Sequence, residues 1–267
     1  MSALRRRASR HLAVSVVALV LGVLAVALGL GLGTDWPWEP ALVVLPLGAL
    51  ALWRWPGRRP LRALIALGRT SRRALLLVAL MAAAYALLSN LLMQLFEVEA
   101  ATEPVVTPGG VLVAVGVGIL VGGVLTALPE ELVFRGVLLR ALIAARGPAV
   151  ALGLTSLLFG VMHVPNAMFG WELTGWLLVS RLGGLVTIGA ALGWVTLRSG
   201  TIWVAVAWHG AANIADTAWG GILTPEITDV VAREVWRWAL VVGETALLVT
   251  LVALRWPRST NRPEHVS

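Results

Sequence analysis

Three stretches of this chain carry no charged side chain over the length of a membrane-crossing helix: 22 residues at 12–33, 23 at 74–96 and 20 at 110–129. About 20 apolar residues span the hydrocarbon core of a bilayer, so an ordinary water-soluble fold is excluded. The composition agrees, with 58% of residues hydrophobic and 13% charged, where soluble proteins carry roughly 25% charged. Apolar runs predict about eight helices, at 12–33, 36–54, 74–96, 111–145, 148–166, 173–197, 200–219 and 236–255. The expected fold class is all-α, a polytopic membrane protein built as a single bundle.

The net charge of +7 is carried by 21 arginines and no lysine, a bias that fits a GC-rich bacterial genome. Their placement says more than their sum. If the N-terminus is cytoplasmic, 17 of the 21 fall on the cytoplasmic side: in the tail with Arg5, Arg6, Arg7 and Arg10, the connection 54–73, the 140–147 turn, the turn at Arg198, and the C-terminal tail. The opposite connections hold Asp35, Glu39, Glu97, Glu99, Glu103, Glu172, Glu226, Asp229, Arg233 and Glu234. This asymmetry predicts both termini in the cytoplasm of a bacterial plasma membrane. The lipid bilayer, and not nucleic acid, is the expected partner. The first span, at 22 residues, is longer than the roughly 7–15 of a signal-peptide core and is expected to stay uncleaved. Cysteine is absent, which removes thiol nucleophiles, disulfides and Cys-containing zinc sites. Without lysine, Schiff-base chemistry is excluded as well.

Polar side chains inside a bilayer are costly and need a partner or a function. Here they concentrate in Leu128-Pro-Glu-Glu-Leu-Val-Phe-Arg135, Phe159-Gly-Val-Met-His163 and Trp208-His-Gly-Ala-Ala-Asn213, with Arg181, Asp216 and Glu244 besides. Glu131 and Arg135, Phe159 and His163, and His209 and Asn213 are each four apart, so each pair shares a helix face. The Arg146-Gly147-Pro148 turn closes a helical hairpin, and Glu131 and His163 both lie sixteen residues from Gly147. At 1.5 Å per residue both reach about the same depth, roughly 24 Å from the turn.

Charge and geometry suggest roles. Glu131 one turn before Arg135 forms a structural ion pair. Glu130, rotated about 100° from Glu131, stays free as a general base. His163 and His209 hold the other side of a water molecule, and Asn213 steadies an oxyanion. Asp216 falls on the stripe of His209 and Asn213, and is expected to orient His209 or to line the outer mouth of the cavity. Pro129 kinks its helix. Gly116, Gly118, Gly122 and Gly123, and Gly189 and Gly193, serve close helix packing, while Glu244 and Arg181 make structural polar contacts.

Glu-Glu-x-x-x-Arg, Phe-x-x-x-His and His-x-x-x-Asn on successive membrane helices resemble the CAAX protease and bacteriocin-processing (Abi) family of intramembrane endopeptidases, over roughly 110–220. The resemblance implies catalytic roles for Glu130, Glu131, His163, His209 and Asn213, supported by Arg135 and Phe159, with the first glutamate activating water. It also implies a membrane-associated peptide or protein as substrate. The chain then divides into a basic tail (1–11), N-terminal transmembrane helices with the basic connection 54–73 (12–109), the catalytic core (110–220), and a last helix with its tail (221–267). The family is named for metalloproteases, and Glu130, His163 and His209 could ligate zinc with an open water position. They could equally activate water without a metal. Two rivals stay open: a catalytically silent membrane binding or immunity protein, and a transporter using the same groups as a proton relay.

Overall fold

The computed structural model describes residues 70–96, 98–100, 107–170, 173–223 and 226–256. The helices expected at 12–33 and 36–54 lie outside the described residues. The other six are present: α1 (Arg72–Leu95), α2 (Pro108–Arg146), α3 (Pro148–Met162), α4 (Gly175–Ser199), α5 (Trp203–Leu223) and α6 (Val230–Arg255). Among them α1, α2, α4 and α6 are long and apolar enough to cross a membrane. The chain is an all-α membrane protein with one small addition, a two-residue antiparallel ladder of β1 (Glu99–Ala100) and β2 (Glu226–Ile227). Strands this short produce no alternation in sequence. They tie the α1–α2 and α5–α6 connections together at one end of the bundle.

Local chemistry explains the boundaries. The Thr107 side chain accepts from the Gly110 N–H at 3.0 Å and Pro108 opens α2, a favourable start because a proline there sacrifices no hydrogen bond. Gly147, at φ 87°, takes the left-handed turn that reverses the chain into α3. Pro129 does not end α2. It sits in one α-helical turn, Leu128–Glu131, between π-helical stretches Gly118–Ala127 and Leu132–Leu138, and such widened turns recur at functional sites.

Two expected boundaries move. Helix α3 stops at Met162, leaving His163 as its C-terminal cap, and the chain runs on through Val164 and Pro165, which has no N–H to carry the ladder on, into a short π-helical turn at Asn166–Gly170. Helix α6 starts at Val230 and not at 236. Asp229 caps it, accepting from the N–H groups of Val231 and Ala232 at 2.8 and 3.0 Å. Arg233 and Glu234, which read as loop charges, are buried in ion pairs to Glu99 at 2.9 Å and Arg181 at 3.4 Å.

Helix α5 packs against α1, α2 and α4, and α2 meets it through glycine. A Cβ at Gly122 would lie 2.7 Å from the Asn213 carbonyl oxygen, and one at Gly118 would lie 2.7 Å from that of Ile214. Small residues here let the two backbones touch at the turn that carries Asn213. Gly116, by contrast, has nothing within 4 Å of its would-be Cβ and takes no part in the packing expected of it. Gly122→Ala should therefore destabilise the fold by about 1–3 kcal/mol, while Gly116→Ala should not. Thermal melts followed by tryptophan fluorescence in detergent decide this, and equal midpoints would contradict the contact.

Below the polar residues the bundle is sealed by two apolar cores. One joins α2, α3 and Ile202 through Val133, Phe134, Leu138, Leu139 and Phe159. The other joins α1, α4, α5 and α6 through Val78, Leu192, Val204, Trp208 and Leu248.

Candidate active site

Glu130 and Glu131 sit in the α-helical turn between the two widened stretches of α2 and are 4% and 0% exposed. Carboxylates so deeply buried must be satisfied by protein groups or by water held within the bundle. Glu131 has two. Its Oε1 accepts from Arg135 Nη1 at 2.8 Å and lies 2.9 Å from His209 Nδ1. Arg135, 2% exposed, also donates to the Gly189 carbonyl at 3.0 Å and stacks its guanidinium over the Phe159 ring, 4.4 Å from the centroid. The expected ion pair is present, and it does more than neutralise charge because the same carboxylate holds His209.

His163 projects from the end of α3, and its Nδ1 donates to the Phe159 carbonyl at 2.7 Å. A carbonyl only accepts, so the ring proton is on Nδ1 and the Nε2 lone pair is left facing inward. His209 is oriented likewise, its Nδ1–H donating to Glu131. Both Nε2 atoms point at Glu130, at 4.0 Å from His163 to Oε1 and 3.8 Å from His209 to Oε2. These gaps exceed a direct hydrogen bond, and Glu130 Oε2 has no hydrogen-bond partner among the described residues. Acceptors that face one another across such a gap call for a donor between them, and a water molecule supplies two O–H groups. The rotation between neighbouring glutamates does not turn Glu130 away from its pair: both carboxylates meet the same imidazole.

A cavity of about 330 Å³ opens off this cluster and is lined by Glu130, Phe159, His163, His209 and Asn213 together. The structure thus gathers the residues of all three sequence motifs. Phe159 forms one wall of the cluster, its ring 4.9 Å from that of His163 and 6.0 Å from that of His209. Asn213 donates to the Gly122 carbonyl over a long 3.5 Å, a contact weak enough to be exchanged.

Asp216 does not orient His209, which is held by Glu131. It accepts from Asn90 Nδ2 of α1 at 2.8 Å and lines the cavity, which leaves the mouth as its place. Glu244 also lines the cavity, and accepts from Trp208 Nε1 at 2.7 Å. Trp208 and Arg237 were not singled out by sequence. The signal for Trp208 is its position next to His209, and Arg237, the second residue of the helix expected at 236–255, carries none of its own.

Three donors invite a test for zinc. Ligand atoms about 2.0–2.1 Å from a tetrahedral zinc lie roughly 3.3 Å apart. The Glu130–histidine separations are wider, and among the described residues no group of three histidines or carboxylates is arranged to hold a metal. As they stand the donors do not fit zinc.

Residues 110–215 match the model of the Rce1-like family, described as Type II CAAX prenyl endopeptidase Rce1-like. This part of the chain is similar to that family. The match takes in Glu130, Glu131, Arg135, Phe159, His163, His209 and Asn213, and stops before Asp216, Arg237 and Glu244. The four helices long and apolar enough to cross a membrane make the chain an integral membrane protein, and the resemblance to the family is carried by the matched residues. No curated protein and no solved structure gives a match.

Proposed function

We propose that the protein is an intramembrane endopeptidase that hydrolyses a peptide bond of a membrane-associated polypeptide with water activated by Glu130 and the two histidines. The observation that carries this reading is the buried Glu130 carboxylate set between two inward-facing imidazole nitrogens, at 4.0 and 3.8 Å. A water in that space donates one hydrogen to Glu130 and the other to a histidine Nε2. As its oxygen bonds to the scissile carbonyl carbon, its proton passes to Glu130. The carbonyl oxygen becomes an oxyanion, to which Asn213 Nδ2 donates in exchange for its long contact with Gly122. The C–N bond then breaks, Glu130 returns the proton to the leaving amine, and the second water proton leaves through His163 as the new carboxylate forms.

No metal enters these steps, in keeping with donor spacings too wide for zinc. Purified protein in liposomes, incubated with an extract of bacterial membrane proteins, should generate new N-termini, and a zinc chelator should leave their yield unchanged. Loss of activity on chelation with recovery on added zinc would reverse the metal-free reading. An absence of new N-termini would favour the silent binding protein. A transporter is disfavoured by the two apolar cores, which among the described residues interrupt a polar path through one half of the bundle.

A further inference from the structure

The cavity is one-sided. Its lining reaches from the ladder side of α2 to α6 as deep as Glu130, Leu192, Trp208 and Glu244, and among the described residues it contains nothing between Val133 and Ala151 or between Leu197 and Ile202. A second cavity of about 250 Å³ continues in the same direction. It shares Arg181, Ala212, Asp216, Arg237 and Glu244 with the first, then reaches Ser89 and Asn90 on α1, Gly220 on α5 and Glu99 beside the ladder. Asp216, where the two meet, is exposed, and a carboxylate exposed at that point marks access for water. Toward the α2–α3 turn the bundle is filled instead by Val133, Phe134, Leu138, Leu139 and Ile202, none more than 2% exposed. Among the described residues a polar path therefore leads from the site to the ladder end, and an apolar plug closes the other.

Depth supports the same picture. Exposed leucines on α1 run from Leu76 to Leu95, about 28 Å of helix, which matches the hydrocarbon thickness. Asn90, near the upper part of this belt, bonds Asp216, and His209 lies seven residues before Asp216 on α5, about 10 Å deeper. The histidines thus sit about 18 Å below the ladder-side edge of this belt, and the cavities run from that depth toward the ladder.

Charge assigns the leaflet. At the plugged end the described residues carry Arg72, Arg73, Arg140, Arg146, Arg198 and Arg255 and no acid, while the ladder end carries Glu99, Glu226, Asp229 and Glu234 against Arg233 and Arg237. Basic ends stay in the cytoplasm. We infer that the catalytic cavity opens to the face of the membrane opposite the cytoplasm, and that its substrate is a polypeptide segment presented on that outer face. The substrate statement rests on the hydrolase reading, whereas the direction of opening does not.

The chain has no cysteine, so single cysteines can report the direction without background. Ser89→Cys and Gly220→Cys place a thiol in the second cavity, the latter where an added Cβ meets nothing within 4 Å. Ser199→Cys places one at the plugged end. With a membrane-impermeant maleimide on intact bacteria, the two cavity cysteines should label to the level seen after permeabilisation, and Ser199→Cys should stay at background until the membrane is opened. Labelling of Ser199→Cys in intact cells, or of the cavity positions only after permeabilisation or not at all, overturns the inference. The new N-termini should map to segments outside the cytoplasm, and cytoplasmic cleavage sites would overturn the substrate assignment. A protein that labels as expected yet cleaves nothing would retain the direction and lose the hydrolase.

Discussion

Replacing Glu130 by glutamine should lower the cleavage rate by at least 10²-fold, and on the order of 10⁴-fold if the glutamate is both the base that takes the water proton and the acid that returns it. Glutamine keeps the shape of the side chain and places an amide in the 3.8–4.0 Å gap to the two Nε2 atoms, so the fold should survive. The measurement is the yield of new N-termini against time for both proteins in liposomes, with melting midpoints as the control. Normal turnover in the variant would mean that Glu130 is not the base. The alternative of a silent binding protein makes the opposite forecast, with the same set of N-termini whichever residue stands at 130.

Much of this arrangement was legible in sequence because the bilayer makes polar residues rare and therefore informative. Sixteen-residue offsets from the Gly147 turn anticipated that α2 and α3 deliver their polar groups at one level, as the Glu130–His163 approach of 4.0 Å shows. Spacing by four found the Glu131–Arg135 pair. The same argument failed for Glu130 and Glu131, since a turn of about 100° around a helix does not separate two side chains that reach opposite nitrogens of one ring, His209 Nε2 at 3.8 Å and Nδ1 at 2.9 Å. It failed again for Asp216: a shared helical stripe places it near His209 in projection, but the seven-residue rise carries it about 10 Å away, to Asn90. Tertiary partners explain the remaining misses. Arg233 and Glu234 read as a solvated connection because the carboxylate and guanidinium that neutralise them come from β1 and α4, distant in sequence, and the start of α6 was lost with them. The ladder of β1 and β2 was invisible for the same reason.

Glu131 is the residue whose loss should do most harm to the fold. Glu131→Gln removes the carboxylate bonded to Arg135, which is 2% exposed and otherwise meets the Gly189 carbonyl and the rings of Phe159 and Phe134. Breaking one side of a buried pair leaves an uncompensated ion and costs on the order of 3–5 kcal/mol, which a melt in detergent would register as a clear fall in midpoint. An unchanged midpoint would mean that the pair contributes nothing to stability. Activity should fall as well, for a separate reason: His209 loses the carboxylate that accepts its Nδ1–H at 2.9 Å, and with it the tautomer that leaves Nε2 free to accept. The double variant Glu131→Leu, Arg135→Met separates the two effects. Exchanging a whole buried ion pair for apolar groups of similar volume is often neutral, so its midpoint should return toward that of the wild type. Its cleavage rate should stay about 10²-fold down, since no group then fixes the His209 ring. Recovery of both together would reduce Glu131 to a counterion and assign the orientation of His209 to its packing against Phe159. Recovery of the fold alone means that the catalytic imidazole is held by the same carboxylate that anchors the helix.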